Sequence, residues 1–283
     1  MIGLVTYGKY PDLTPDDRPL LGELAALDVE ARPVVWDDPS VDWTAFDALV
    51  LRSTWNYHLK PRDFTAWLAE LDDIGVPLWN PTSVVRWNMH KRYLRALGDQ
   101  GVLVPPTEWV ARAEARPLPA LLAQRGWTDA IVKPSISASA TDTWRTTGDA
   151  AADDRRYREL VERADVMVQA TIPEVATEGE WSLLYLGGAF SHAMLKRPKP
   201  GDFRVQAELG GTAEKANAPT AVVEAGDRIV GLIPGEWLFA RVDGVLTRDG
   251  FMLMELECIE PLLFLAQQPG SAATLARSLA ERL

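Results

Sequence analysis

The chain has 283 residues, of which 47% are apolar and 24% charged, and its formal net charge is −11. That length suffices for two or three sub-domains with substantial cores, while so acidic a balance argues against a nucleic-acid partner, because phosphate recognition needs a basic patch. Cys258 is the only cysteine and His58, His90 and His192 the only histidines, so a disulfide framework and a thiolate zinc cluster are excluded and any metal is expected on oxygen ligands.

The N-terminus, "MIGLVTYGKY", has neither a basic lead nor a long apolar stretch, and no run approaches a membrane span. The expectation is a cytoplasmic protein that engages no membrane. "IGLVTY" reads as a buried strand, "DRPLLGELAAL" as a helix, "ARPVVW" and "ALVLRST" as strands, "PRDFTAWLAELDDIG" as a helix and "VPLWN" as a strand. This βαβ order predicts a small parallel sheet, with ligands at the carboxyl ends of its strands, here near Thr6–Lys9 and Arg52–His58. A helix is expected over "NMHKRYLRALGDQG", capped by Asn88. "VLVPPTEWV", "DAIVKPS" and "ADVMVQATIPEV" read as extended, with the charged helix "DDRRYRELVERA" before the last of them. From residue 181 the pattern becomes antiparallel: "WSLLYLGGAF", "SHAMLKRP" and "DFRVQAEL". "TAVVEAGDRIVGLIP" is a helix, "WLFARVDGVL" and "GFMLMELECI" form a hairpin turning near Asp249, and a last helix, capped by Ser271, closes the chain.

Three glutamates interrupt the apolar run "LMELECIEPLLF". On a strand, Glu255 and Glu257 share one face and Met254, Leu256 and Cys258 the other. The hairpin puts Asp243 opposite Glu255 and Arg241 opposite Glu257. Three carboxylates and an arginine on one face are either a solvated face with a cross-strand salt bridge or a site for a hard cation such as Mg2+. Lys133 ends a buried strand and precedes the loop "PSISASATDT", which includes Ser139; it is either a surface lysine or a point charge for phosphate. Arg52 is either a clamp for a substrate carboxylate or a partner of Asp37 or Asp38, and Trp55 and Tyr57 either shape a pocket or pack a loop.

In order and spacing these segments resemble the ATP-grasp superfamily over nearly the whole chain. The resemblance implies α/β followed by α+β architecture: a parallel-sheet domain over residues 1–86, then two α+β sub-domains, 87–173 and 174–283, that enclose ATP. "NMHKRYLRAL" implies Lys91 as a first phosphate lysine, "IVKPS" implies Lys133 as the second, and "VMVQATIPEV" implies an adenine-reading hinge at Gln169, Ala170 and Ile172. "GEWSL" implies Glu180 on the ribose. "KRPKPGDFRVQAELGGT" is similar to a segment of glutathione synthetase and the ribosomal-protein glutamate ligase, and implies Lys196 and Arg204 on nucleotide and phosphates. "ARVDGV" with "LMELECIEP" resembles the metal hairpin, implying Asp243, Glu255 and Glu257 as ligands of one or two Mg2+ ions, with Mn2+ as the alternative, and Arg241 beside them. Glu257 departs from the asparagine common at its position, and serine and alanine replace glycine in the loop. "RSTWNYH" resembles the branch containing the cyclo-ligase of D-cycloserine biosynthesis. The implied activity is an ATP- and Mg2+-dependent carboxylate–amine ligase that passes through an acyl phosphate and acts on a small amino-acid-like substrate, with Arg204, Arg241 and Arg52 as catalytic groups. Ring closure within one substrate, and a nucleotide-binding regulatory module without ligase activity, stand as alternatives. A second copy of the chain is admitted as a partner.

Overall fold

The computed structural model describes residues 1–114, 116–205 and 209–283. The first sheet is built from β1 (Ile2–Thr6), β2 (Ala31–Val35), β3 (Ala48–Leu51) and β4 (Leu78–Trp79), in the order β2-β1-β3-β4 and parallel throughout. Every residue of β1 and β3 is buried, as befits parallel strands covered on both faces. The helices between them are α1 (Pro19–Ala25) and α2 (Pro61–Ile74). In α2, Phe64, Trp67, Leu68 and Leu71 form the buried stripe, and Gly75 ends the helix at φ 74°. Phe64 and Trp67 pack with Trp36, and Trp67 also meets Trp43.

The connection onward is two short helices, α3 (Thr82–Met89) and α4 (Tyr93–Asp99), where the sequence predicts one. Asn88 lies inside α3 rather than capping the next helix. The second sheet contains β5 (Thr107–Val110), β6 (Ala130–Pro134), β7 (Trp144–Arg145) and β8 (Val166–Ala170), antiparallel in the order β5-β8-β6-β7. It shares a core that includes Val132, Tyr157, Leu160 and Val168 with α5 (Leu118–Arg125) and α6 (Ala150–Val161).

After α7 (Glu174–Thr177) comes the third sheet: β9 (Glu180–Leu186), β10 (Ala189–Arg197), β11 (Thr212–Lys215), β12 (Phe239–Thr247) and β13 (Gly250–Glu257). Its order is β11-β10-β9-β12-β13, antiparallel, with α8 (Thr220–Val230) on one face. Gly187 and Gly188 make the β9–β10 turn, so Ala189 and Phe190 open β10 rather than ending β9. Of the strand expected over "DFRVQAEL", residues 202–205 have no regular structure and 206–208 lie outside the described residues. The last helix, α9 (Ser271–Ala280), packs on α1, so the chain's end joins the N-terminal core. Gly270, not Ser271, is its N-cap; the Ser271 hydroxyl donates to the carbonyls of Leu265 and Gln268.

β13 is an edge strand, and side chains and one backbone carbonyl meet its open edge. Asn88 donates to Leu256 O at 2.8 Å and accepts from Cys258 N at 2.8 Å. The Tyr93 hydroxyl accepts from Leu256 N at 3.1 Å, and Leu253 N donates to Leu103 O at 2.8 Å. Asn80 donates to Phe239 O at 2.8 Å and Cys258 O at 2.7 Å. Buried backbone groups need such partners, and here they lock the hairpin against the chain that carries Lys91.

Candidate active site

The hairpin register brings the acids together through a bulge. The turn pairs Thr247 with Gly250 and keeps register as far as Gly244 with Leu253, a count that would place Asp243 opposite Met254. The register shifts there by one residue, so Asp243 pairs with Glu255 and Arg241 with Glu257. Met254, expected on the core face, instead lines the cavity. Gly244 sits at the shift because a Cβ would lie 2.3 Å from the Phe251 ring and 2.7 Å from Met252 O.

The hairpin face looks into a cavity of about 280 Å³, lined also by residues of the second sheet and of the N-terminal segment. Every residue assigned a nucleotide, metal or catalytic role from the sequence lines it except Arg52: Lys91, Lys133, Ser139, Gln169, Ala170, Ile172, Glu180, Lys196, Arg204, Arg241, Asp243, Glu255 and Glu257. Arg52 is a correction. Its guanidinium is 1% exposed and donates to Asp17 at 2.9 Å, Leu51 O at 3.2 Å and Pro261 O at 2.9 Å, with its face over Phe239. A guanidinium so committed has nothing left to clamp a substrate. The salt-bridge alternative is right in kind, but the partner is Asp17 rather than Asp37 or Asp38.

The acids of the cavity are held by cations. Arg241 donates to both Asp243 oxygens, at 2.9 and 3.1 Å, and also bonds Glu257. Lys196 spans Glu180 at 2.7 Å and Asp243 at 3.2 Å, and the Ser182 hydroxyl donates to Asp243. Lys91 bonds Glu255 at 3.0 Å and Ser137 O at 2.6 Å. Burial would raise the Asp243 carboxyl, but Arg241 and Lys196 hold it down at about 2. Burial also works against Glu255, whose pKa is nevertheless lowered by Lys91 and Lys133. Glu257 goes the other way: burial, with the nearby Asp243 and Glu255 charges, outweighs Arg241 and pushes it up to about 7. Glu180 is raised by burial against the pull of Lys196. Among the described residues no group of three or more His, Cys, Asp or Glu side chains is arranged to hold a metal, since Arg and Lys occupy the oxygens instead. The donor set still suits a hard cation: all oxygen, with Asp243 facing Glu255 across the strands and Glu257 short of compensating charge.

Lys133 differs from the other lysines. Its side chain lines the cavity with no hydrogen bond or ion pair among the described residues, and burial lowers its pKa. The loop after it bends through left-handed backbone at Ser139 (φ 52°) and Ala140 (φ 54°), and Thr141 Oγ1 lies 3.2 Å from His58 Nε2. Gln169 is buried in the central strand and its side chain donates to Thr107 at 3.2 Å, while Ala170 N–H donates to Pro106 O; the side of the hinge left for a ligand is the Ala170 carbonyl and Ile172. Arg204 is bound back to Asp202, through Nε at 3.0 Å and Nη2 at 2.9 Å. Ser182, which holds Asp243 from behind the cavity wall, and Glu260, in the lining, escaped the sequence reading. Ser182 carries no motif. Glu260 is the third glutamate of the run already quoted, but it lies past the end of β13, where alternation gives no direction.

A family profile described as the N-terminal domain of D-cycloserine synthetase DcsG matches residues 2–80. The cycloserine biosynthesis protein DcsG of Streptomyces lavendulae is 30% identical over 299 residues, covering 100% of this chain and 99% of that protein. The crystal structure of D-cycloserine synthetase DcsG superposes with a TM-score of 0.87 at 29% identity, covering 99% of each chain. A D-alanine–D-alanine ligase from Bacillus anthracis, in complex with ATP, shares the fold at a TM-score of 0.69 and 15% identity, over 99% of this chain and 96% of that one. With its three sheets, its lysine- and acid-lined cavity and full-length similarity to DcsG, the chain belongs to the DcsG family of ATP-grasp enzymes and is an ATP-dependent ligase that forms C–N bonds.

Proposed function

We propose that the protein activates the carboxylate of a small amino-acid-like substrate as an acyl phosphate and passes the acyl group to an amine. The observation that carries this reading is Lys133: a half-buried lysine whose side chain has no partner among the described residues and which shares one cavity with Glu255, Glu180 and Asp243. A lysine left unpaired in such a place is poised for an anion. The three sheets support the division 1–86, 87–173 and 174–283, with ATP between the second and third parts. The Ala170 carbonyl and the Ile172 N–H take the adenine edge, Glu180 the ribose, and Lys91, Lys133 and Lys196 the phosphates, with Ser139 in the loop closing over them. Asp243, Glu255 and Glu257 hold Mg2+, which supplies charge neutralisation on the phosphates.

A carboxylate oxygen of the substrate attacks the γ-phosphorus, the bond to the β-phosphate oxygen breaks, and ADP leaves. The amine then attacks the acyl carbon, phosphate departs with the C–O electron pair, and the amine's proton passes to solvent or a cavity base. The chain's part is positioning and charge control. Arg241 keeps Asp243 ionised, and Arg204 exchanges Asp202 for the acyl phosphate. Full-length similarity to DcsG supports a second reading, in which the amine belongs to the same molecule and a ring closes.

The test is ADP release with a panel of amino acids, with and without EDTA, in the presence of hydroxylamine. Trapped hydroxamate is expected only with Mg2+ present. ADP without hydroxamate would remove the acyl phosphate, and full activity in EDTA would remove the metal. Product mass separates the two readings, since ring closure gives one substrate less water.

A further inference from the structure

Three consecutive carbonyls beyond the hairpin are held by side chains. Trp55 Nε1 donates to Glu260 O at 2.9 Å, Arg52 Nη2 to Pro261 O at 2.9 Å and Arg241 Nη1 to Leu262 O at 3.1 Å. Trp55 and Arg52 belong to the "RSTWNYH" stretch. The N-terminal part therefore fixes the path of the segment that carries Glu260. Glu260 itself is 8% exposed and lines the cavity. Its carboxylate has no hydrogen bond or ion pair among the described residues, and the nearby cations are engaged: Lys91 with Glu255, Arg241 with Asp243 and Glu257.

We propose that Glu260 binds the ammonium group of the amino-acid-like substrate. The inference rests on the ligase reading above and names a specificity residue for it. A buried carboxylate without a partner is costly, and a cation in the cavity would complete it. An anion is disfavoured there by the neighbouring Glu255 and Glu257. The wall beside Glu260 includes Trp55 and Tyr57, whose rings favour an organic cation. Burial first, and the Glu257 charge second, push the Glu260 carboxyl well above the usual carboxylate range; an ammonium beside it offsets both. Lys133 and Arg204 line the same cavity and attract the opposite end, the carboxylate to be phosphorylated. Charge thus sorts the two ends of an amino acid.

The experiment measures ADP release by the full chain with the coded amino acids and their enantiomers, and with the des-amino counterpart of each active one. Glu260→Gln is expected to raise KM for the amino acid about tenfold to a hundredfold, the scale of a buried hydrogen bond to a charged group. KM for ATP should stay within about twofold, and discrimination against the des-amino acid should shrink by the factor lost. Glu260→Asp should fall between, and it carries the same comparison if Glu260→Gln fails to fold. Unchanged amino-acid KM, or undiminished discrimination, in a folded variant overturns the inference. A wild-type enzyme active equally with des-amino acids overturns it while leaving the ligase reading intact. A wild type that releases ADP with no amino acid overturns both.

Discussion

Arg52 at the end of β3 and Arg241 on β12 invite comparison. Both are nearly inaccessible, at 1% and 11% side-chain exposure, both pair with an aspartate, and both donate to the segment after the hairpin, at Pro261 and Leu262. They differ in what lies behind the aspartate. Asp17 is itself 3% exposed and away from the cavity, whereas Asp243 and Glu257 line it. The first arginine is therefore a staple between the N-terminal sheet and the chain after β13. The second controls charge where a ligand arrives. A guanidinium's function is set by whether its carboxylates have another caller.

Stability should separate the two most strongly. Arg52→Ala leaves Asp17 buried and unpaired and is expected to cost about 3–5 kcal/mol in urea unfolding, the usual result of breaking a buried pair from one side. Adding Asp17→Asn should return part of that loss. Arg241→Ala should cost less, because Glu257 takes up a proton readily and Lys196 still holds Asp243. Equal losses would erase the distinction.

Turnover should rank the acids behind Arg241. Glu255→Gln is expected to lose about 10²-fold or more in kcat, on the scale of one preorganised electrostatic group. Glu257→Gln should lose less and move the Mg2+ optimum upward, since an amide keeps one oxygen donor. ADP release against Mg2+ concentration, with melting curves for both variants, measures this; wild-type behaviour of both at limiting Mg2+ would return the hairpin to a merely solvated face.

Glu257 also sets a pH dependence. It titrates at about 7 in the folded chain against an ordinary 4.5, so between those values the folded state holds a proton that the unfolded state has released. Its stabilising contribution is fully present below about pH 4.5 and is lost as pH rises through about 7. Without ligand, the melting temperature of the wild type should therefore fall relative to Glu257→Gln between pH 5 and pH 8. A flat difference would remove the raised pKa.

The smallest effect is expected at the contact between the N-terminal part and the phosphate loop. Thr141→Val removes the oxygen that lies 3.2 Å from His58 Nε2. A rise in KM for ATP of about twofold to fivefold is expected, the scale of a single neutral hydrogen bond. A change in amino-acid KM alone would place the contact at the other substrate.

Much of this was legible in the strands. Continuous burial marked β1 and β3, and the three sheets follow the order of apolar runs. The acids of the hairpin were readable because alternation placed Glu255 and Glu257 together. Their meeting with Asp243 was reached by pairing them, yet the physical means, a bulge of one residue at Met254, is not written in any local pattern. Asn88 shows the converse. Its type and place suited a helix cap, but tertiary demand won: the open edge of β13 needed a donor and an acceptor at Leu256 and Cys258. Arg52 failed for the same reason, because Asp17 is distant in sequence and nothing local announces the pairing.

By itself the sequence determined most of the strands and helices, though not α5, β7 or β11, together with the sign of charge available to a ligand and the family motifs in order. These depend on side-chain periodicity and composition, which act over a few residues. Only the tertiary structure decided which charges meet: Lys91 with Glu255, Lys196 with Glu180 and Asp243, Arg52 with Asp17, and Lys133 and Glu260 with none among the described residues. Pairing of charges depends on distance and desolvation between segments remote in the chain, and burial makes each choice consequential, since a charge left alone in the interior waits for a ligand or loses its ionisation.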